Sequence, residues 1–148
     1  MEKGIESLPQ LICKEYSFKQ HDPKTMSPLT LAFIGDTVFD LIVRTRVIEE
    51  GNAPVRKLNH SASSLVNATT QSHMMKLIMP ELTEEETAVF KRGRNAKSYT
   101  SAKNANINDY RIATGLEALI GWLYLSGNME RIYELILPVL PEYEIRCK

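Results

Sequence analysis

The sequence predicts a single domain built only of α-helices, about five in number. Residues that typically start and end helices recur along the chain, and apolar residues between them repeat with the helical period. Almost no stretch alternates apolar and polar residues, as a half-buried strand would. The 148 residues, 43% of them apolar, are enough to bury one core. The expected fold class is therefore all-α.

The first long helix is predicted from the stretch MSPLTL. Ser27 is a typical N-cap there, and Pro28 takes the first helical position, where its missing N–H is not needed. Gly51 is the expected C-terminal stop. A second helical period starts at Ala53 and is expected to continue to Pro80.

A short acidic helix and a polar loop are predicted next. Thr83 and Glu86 have the spacing of a capping box, which opens a helix expected to end near Gly93. Residues 93–108 show no apolar period, and they are predicted to form a loop.

The C-terminal part of the chain is predicted to contain a long apolar helix and a short last helix. Asn108 or Asp109 caps the apolar helix, and Gly127 ends it. Asn128 caps the last helix, which Pro138 ends. The chain beyond these helices has no clear pattern, so both termini are expected to be flexible.

Composition and charge argue against several classes of protein. The formal net charge is zero, so the chain is not expected to coat nucleic acid through bulk charge alone. The N-terminal sequence lacks the apolar stretch of a signal peptide, and acidic residues interrupt the longest apolar runs, which argues against a membrane span. Cys13 and Cys147 form no ligand motif and suggest a reducing compartment, although a terminal disulfide stays open. A cytoplasmic protein is expected.

The apolar stretch LTLAFIGDTVFDLIV carries Asp36 at its centre. Burying an ionised carboxylate costs several kcal/mol unless a cation or hydrogen bonds compensate. One explanation is structural: Asp36, Asp40 and Arg44 share a helix face and form a ladder of ion pairs. The neighbouring Gly35 favours a functional explanation, since a glycine inside a helix allows another backbone to come close.

The later stretch ATGLEALIGWLYL repeats this construction, with Glu117 as its lone acid and Gly121 one turn beyond. Two apolar helices, each with one acid beside a glycine, suggest that Asp36 and Glu117 converge on one cation. Two carboxylates completed by water make an ordinary Mg²⁺ site, where Mn²⁺ could also bind. The alternative is that each acid has its own basic partner.

The segment KRGRNAKSYTSAK, residues 91–103, is basic and contains no acid. Its lysines and arginines stand among asparagine, serine and threonine, a mixture suited to the phosphates and ribose hydroxyls of RNA. A solvated surface loop is the alternative, but the position just before the Glu117 helix favours phosphate binding beside the acids. The candidate RNA-binding residues are Arg92, Arg94, Asn95, Lys97, Lys103 and Asn104.

Together these motifs resemble the ribonuclease III catalytic domain. LAFIGDTVFDLIV resembles the signature helix of that family, and LEALIGWLYL resembles its second acidic motif. The short chain and the motif KRGRNAKS resemble the mini subgroup, which lacks a double-stranded-RNA-binding domain. The resemblance covers roughly residues 21–137. It implies a ribonuclease III-like helical domain at residues 26–138, between an N-terminal extension, 1–25, and a C-terminal tail, 139–148.

The resemblance also implies an activity: a homodimeric, Mg²⁺-dependent endoribonuclease that cuts double-stranded RNA. In the mini subgroup that activity matures the ends of large-subunit (23S) ribosomal RNA in bacteria. On this sequence Asp36 and Glu117 take the places of the catalytic, metal-binding acids, and the candidate RNA-binding residues would hold the RNA backbone. A partner subunit also fits the apolar residues themselves, since Phe33, Ile34 and Phe39 cannot all face one small core.

Two departures from the larger members of the family keep other functions open. Ala32 stands where they have a glutamate before Asp36, and Thr114 stands where they have an aspartate before Glu117. One alternative is a degenerate member that binds structured or ribosomal RNA without cutting it. Another is a helical interaction protein whose acids are structural. With fewer carboxylates, Mg²⁺ is expected to bind weakly until RNA phosphate completes the site.

Overall fold

The structure is a computed structural model that describes residues 6–96 and 106–140. Every regular element within these ranges is a helix, which confirms the all-α fold. Single turns of 3₁₀ helix precede α2 and follow α2 and α4. The α-helices are α1 Leu8–Glu15, α2 Pro28–Val47, α3 Val55–Val66, α4 Ala68–Ile78, α5 Glu84–Asn95, α6 Ile107–Leu125 and α7 Met129–Ile136.

The central element of the fold is α6, which is buried on most of its sides. Helices α2, α4, α5 and α7 pack around it, and α3 packs against α2. The main core between them contains Phe39, Met74, Leu119 and Ile132, all fully buried. This packing places the two acid-bearing helices, α2 and α6, side by side. No helix in the described part of the chain is long and apolar enough to cross a membrane.

The predicted ends of α2 and the start of α5 are present. Ser27 Oγ accepts a hydrogen bond from the Thr30 N–H at 3.2 Å. Thr83 Oγ1 accepts from the Glu86 N–H at 3.1 Å, and the Glu86 carboxylate accepts from the Thr83 N–H at 2.9 Å, which completes the capping box. After α2, one 3₁₀ turn leads to Gly51, whose φ of +104° suits glycine.

The single helix predicted from Ala53 to Pro80 is wrong, because α3 and α4 are separate helices that meet at Asn67. The Asn67 backbone is extended, with φ −71° and ψ 158°. Its Nδ2 donates to the Ser64 carbonyl at 2.8 Å, and its Oδ1 accepts from the Thr70 N–H at 2.9 Å. One asparagine therefore ends α3 and caps α4, a use of asparagine that competes with a continuous helix.

The predicted loop over residues 93–108 is too long at both ends. Helix α5 continues through Asn95, and the cap of α6 is Asn106 instead of Asn108 or Asp109. Asn106 Oδ1 accepts from the Asn108 N–H at 2.9 Å. Asp109 is already inside α6, where its carboxylate accepts a hydrogen bond from a serine of α4. The predicted boundary differs because Asn106, Asn108 and Asp109 all lie close together in the sequence and each is a residue type that caps helices.

The N-terminal extension, which we expected to be flexible, contains helix α1. The Ser7 N–H at its start donates to Gln10 Oε1 at 2.9 Å. Ser7 also lies against Gly127 at the end of α6, so α1 touches the body of the domain. The helix has only eight residues, too few for a reliable apolar period. The predicted limits of the domain at residues 26 and 138 stay a prediction.

Candidate active site

Two glycines bring the backbones of α2 and α6 into direct contact. A Cβ added to Gly35 would overlap the carbonyl oxygen of Glu117, and a Cβ added to Gly121 would overlap the carbonyl oxygen of Leu31. Both overlaps are with main-chain atoms, which cannot turn aside as the end of a long side chain can. Only glycine therefore fits at either position.

The same crossing brings the carboxyl groups of Asp36 and Glu117 together. Glu117 is half-buried and donates a side-chain hydrogen bond to Asp36, which is exposed. Burial, this hydrogen bond and the negative charge of Asp36, in that order of size, raise the pKa of Glu117 to about 8. Within the described residues, neither acid forms a salt bridge with a lysine or arginine. Two carboxyl groups thus lie together at a place where a bound cation would offset their charge.

The ion-pair ladder that the sequence allowed on α2 is reduced to one pair. Arg44 Nε donates to Asp40 Oδ2 at 2.8 Å, one turn beyond Asp36. Asp36 contacts Glu117 of α6 instead. The structural explanation therefore accounts for Asp40 and leaves Asp36 with another acid as its partner.

The two positions that depart from the larger family members add no metal ligand to the pair. Ala32 is only 9% exposed and lies in a small apolar cluster with Val89 and Ala118, where α2, α5 and α6 meet. Thr114 Oγ1 donates to the Tyr110 carbonyl at 3.0 Å. No group of three or more histidine, cysteine, aspartate or glutamate residues in ranges 6–96 and 106–140 could hold a metal ion. The available donor set is two carboxylates, which suits Mg²⁺ with water or phosphate completing the shell.

The C-terminal end of α5 packs against the turn of α6 that carries Glu117. A Cβ added to Gly93 would lie 2.7 Å from the Ala118 Cβ, so this glycine allows the two helices to approach closely. Helix α5 ends at Asn95, two residues beyond Gly93, so the predicted end near Gly93 is close to the observed one. Gly93 is still helical, and a glycine inside a helix indicates close contact. Arg92 and Arg94 flank it, so both arginines start from backbone positions beside this turn.

The arginines of α5 are held by neutral groups. Arg92 Nη2 donates to the Met26 carbonyl at 3.3 Å. Arg94 Nε donates to Asn95 Oδ1 at 3.2 Å, and its guanidinium carbon lies 5.6 Å from the centre of the Phe90 ring. Neither arginine forms a salt bridge among the described residues, so both are available to an anion. The other candidates, Lys97, Lys103 and Asn104, lie outside the described residues.

Comparison with known proteins identifies the family. The sequence profile of the Ribonuclease III domain matches residues 29–128. Mini-ribonuclease 3 from Clostridium tetani is 48% identical over 128 residues, which cover 86% of this chain and 85% of the relative. Mini-ribonuclease 3 from Brevibacillus brevis is 50% identical over 115 residues, 78% of this chain and 86% of the relative.

A solved structure agrees with this assignment. The crystal structure of a protein from Fusobacterium nucleatum superimposes with a TM-score of 0.74 at 34% sequence identity, covering 81% of this chain and 98% of that chain. The structural similarity therefore extends over most of the chain, and the family profile includes both Asp36 and Glu117. This chain belongs to the ribonuclease III family.

Proposed function

We propose that this protein is a metal-dependent endoribonuclease that cleaves double-stranded RNA. Family membership supports the endoribonuclease activity, and the curated relatives are named as ribonucleases. The observation that carries the chemistry is the contact between Asp36 and Glu117. It lies on helices that pack against α5, whose Arg92 and Arg94 form no salt bridge within the described residues. We propose these two acids as the catalytic residues.

The two carboxylates would hold Mg²⁺, and Mn²⁺ would fit the same oxygen ligands. When bound, the ion supplies Lewis-acid stabilisation of the charge that develops on the scissile phosphate. Glu117 must first release its proton, since its neutral carboxyl is a poor ligand. Asp36 and Glu117 then fix the position of the ion relative to α2 and α6. Hydrolysis would leave 5′-phosphate and 3′-hydroxyl ends.

Arg92, Arg94 and Asn95 would hold the RNA backbone beside the acids. Arginine offers a planar fork of N–H donors that matches two phosphate oxygens. Lys97, Lys103 and Asn104 would extend this contact along the chain. Since A-form RNA is read mainly through its shape, phosphates and 2′-hydroxyls, we expect loose sequence preference. The natural substrate would be the precursor of large-subunit (23S) ribosomal RNA, in the cytoplasm.

A homodimer is supported by an uncovered apolar row on α2. Phe33 is 79% exposed, Leu41 is 58% exposed and Leu29 is 40% exposed, so residues 6–96 and 106–140 leave one face of this helix uncovered. An apolar face of this kind marks an interaction surface. We expect the wild type to sediment at about twice the mass of one chain, and Phe33→Asp to sediment as a monomer. A wild type that stays monomeric at high concentration would exclude a two-site enzyme.

The proposed activity is tested with a labelled double-stranded RNA, incubated with Mg²⁺, with Mn²⁺ and with EDTA. We expect cleavage that requires the metal, and a loss of the order of 1,000-fold in Asp36→Asn with RNA binding retained. Asp40→Asn is the matched control, because it changes the same residue type on the same helix but only removes the pair with Arg44. Undiminished cleavage by Asp36→Asn would reject the site.

A second candidate function is RNA binding without cleavage. It is favoured by the lack of further carboxylates, since Ala32 is packed among apolar residues and Thr114 bonds to its own helix. The same experiment separates the two. If the wild type binds the RNA and leaves it whole with either metal, the protein is a degenerate member of its family.

A further inference from the structure

One aromatic ring connects the acid-bearing helix to the basic end of α5. Phe90 is 1% exposed, and its ring carbons lie 2.7 Å from the place where a Cβ on Gly115 would stand. Gly115 is two residues before Glu117 on α6. The ring also neighbours Arg94, whose guanidinium carbon is 5.6 Å from the ring centre. The ring therefore contacts α6 next to the acid pair and, at the same time, an arginine of α5.

We propose that Phe90 is a positioning residue: its ring holds the Arg94 guanidinium in place to receive an RNA phosphate beside the acid pair. This inference rests on the proposed function, in which Arg94 contacts the RNA backbone. A cation over an aromatic face is attracted to the ring, and a side chain held in advance loses less freedom on binding. The Arg94 Nε–H donates to Asn95 Oδ1. The two terminal nitrogens of Arg94 have no carboxylate partner within the described residues.

The position of the ring is fixed relative to α6 as well as to α5. Gly93 brings α5 against Ala118, and Gly115 leaves no side chain between the ring and the backbone of α6. The Phe90 carbonyl oxygen also lies 2.9 Å from the Cβ position of Gly115, so the main chain of α5 approaches α6 closely at this glycine too. The rigid ring of Phe90 thus fixes the position of the Arg94 guanidinium relative to α6, although the arginine side chain itself is long and flexible.

The test is a double-mutant cycle on RNA binding with the wild type, Phe90→Leu, Arg94→Ala and the double variant. The dissociation constant for a labelled double-stranded RNA is measured in EDTA, so that no cleavage occurs, over a range of salt concentrations. We expect Phe90→Leu to weaken binding about threefold to fivefold when Arg94 is present and to add nothing in the Arg94→Ala background. Loss of one phosphate contact also lowers the salt slope by about one.

Two further variants separate this role from simple packing. Phe39→Leu removes the same volume from another fully buried phenylalanine, on α2, and should leave RNA binding unchanged at a temperature where it is folded. Phe90→Met leaves nearly the same volume as Phe90→Leu but fills it with a longer, more adaptable side chain that has no ring, so it should bind RNA as weakly as Phe90→Leu.

Two results would overturn the inference. In the first, Phe90→Leu weakens binding by the same factor with and without Arg94, which would make Phe90 a packing residue only. In the second, Arg94→Ala itself leaves binding and its salt dependence unchanged, so that Arg94 does not contact RNA. Neither result bears on cleavage by the wild type, which decides the proposed function separately.

Discussion

Glu86 and Glu117 lie on the neighbouring helices α5 and α6, and both side chains are at least partly buried. Their surroundings shift their pKa values in opposite directions. Glu86 is 4% exposed, and both of its oxygens accept hydrogen bonds from Arg131 at 2.8 Å. These bonds hold the pKa of Glu86 below its ordinary value. Glu117 meets the carboxyl group of Asp36, and its pKa is raised to about 8 by burial and by that neighbour.

The contrast shows that burial alone does not decide the pKa of a buried carboxyl group, because the Arg131 partner reverses its effect at Glu86 whereas Asp36 adds to it at Glu117. Arg131 is fully engaged, since it also donates to the Glu81 carbonyl at 2.8 Å and to Glu134 at 3.1 Å. Glu86 is therefore an internal tie between α5 and α7. Glu117 has the opposite arrangement, because its neighbour is the acid Asp36 instead of a basic residue. Glu86 supports the fold, whereas the surroundings of Glu117 are those that the proposed cation site requires.

The largest effect on stability is expected from Glu86→Gln. Losing the Glu86 carboxylate leaves the Arg131 guanidinium with only the exposed Glu134 as a charged partner, so the free energy of unfolding should fall by about 3 kcal/mol. Urea unfolding measures this change. Glu134→Gln is the matched control: its carboxylate is 65% exposed and pairs with the same arginine, so it should cost under about 1 kcal/mol. Equal losses in the two variants would show that Glu86 is no special tie.

Glu117→Gln is expected to have the opposite sign. At pH 7 the folded protein keeps Glu117 protonated, whereas the unfolded chain ionises it, and this difference opposes folding. A neutral glutamine removes the difference, so the metal-free protein should gain roughly 2 to 3 kcal/mol at pH 7. Cleavage should be lost in the same variant. A clear loss of stability would instead identify the acid pair as structural.

A smaller, pH-dependent effect sharpens the comparison. Glu117 binds its proton more tightly in the folded state, so its contribution is fully present below pH 4.5 and declines as pH rises towards 8. The slope from this group should reach up to about 1.4 kcal/mol per pH unit, measured by urea unfolding in EDTA. Subtracting the pH profile of the Glu117→Gln variant, measured in parallel, isolates the contribution of Glu117 from that of all other groups. Glu86 behaves in reverse, losing its contribution below pH 4.5.

The sequence predicted those parts of the fold that short-range interactions decide. The caps at Ser27 and Thr83 were readable because both partners of each hydrogen bond lie within three residues. The break at Asn67 was not predicted because the apolar period continues across it. A single polar residue within such a period does not by itself indicate that a helix ends. Helix α1 was too short to show a period at all.

The sequence predicted the candidate site only because the same motif occurs in two helices. An acid beside a glycine in each of two apolar helices suggested that Asp36 and Glu117 meet, but their contact depends on how α2 crosses α6. The pair between Glu86 and Arg131 joins residues 45 positions apart, and the sequence suggested only a capping role for Glu86. Long-range pairs such as these are decided by packing, which no local pattern describes.

The contact between α2 and α6 at Gly35 and Gly121 gives the candidate active site a mechanical property. Where two main chains touch, their separation is set by the hard cores of backbone atoms and not by side chains that can change rotamer. Thermal motion of the core, or a void left by a smaller core residue, is therefore poorly transmitted to the spacing of the acids. Core substitutions can lower the melting temperature while turnover per folded molecule stays the same, whereas one methyl group at either glycine would push the acids apart.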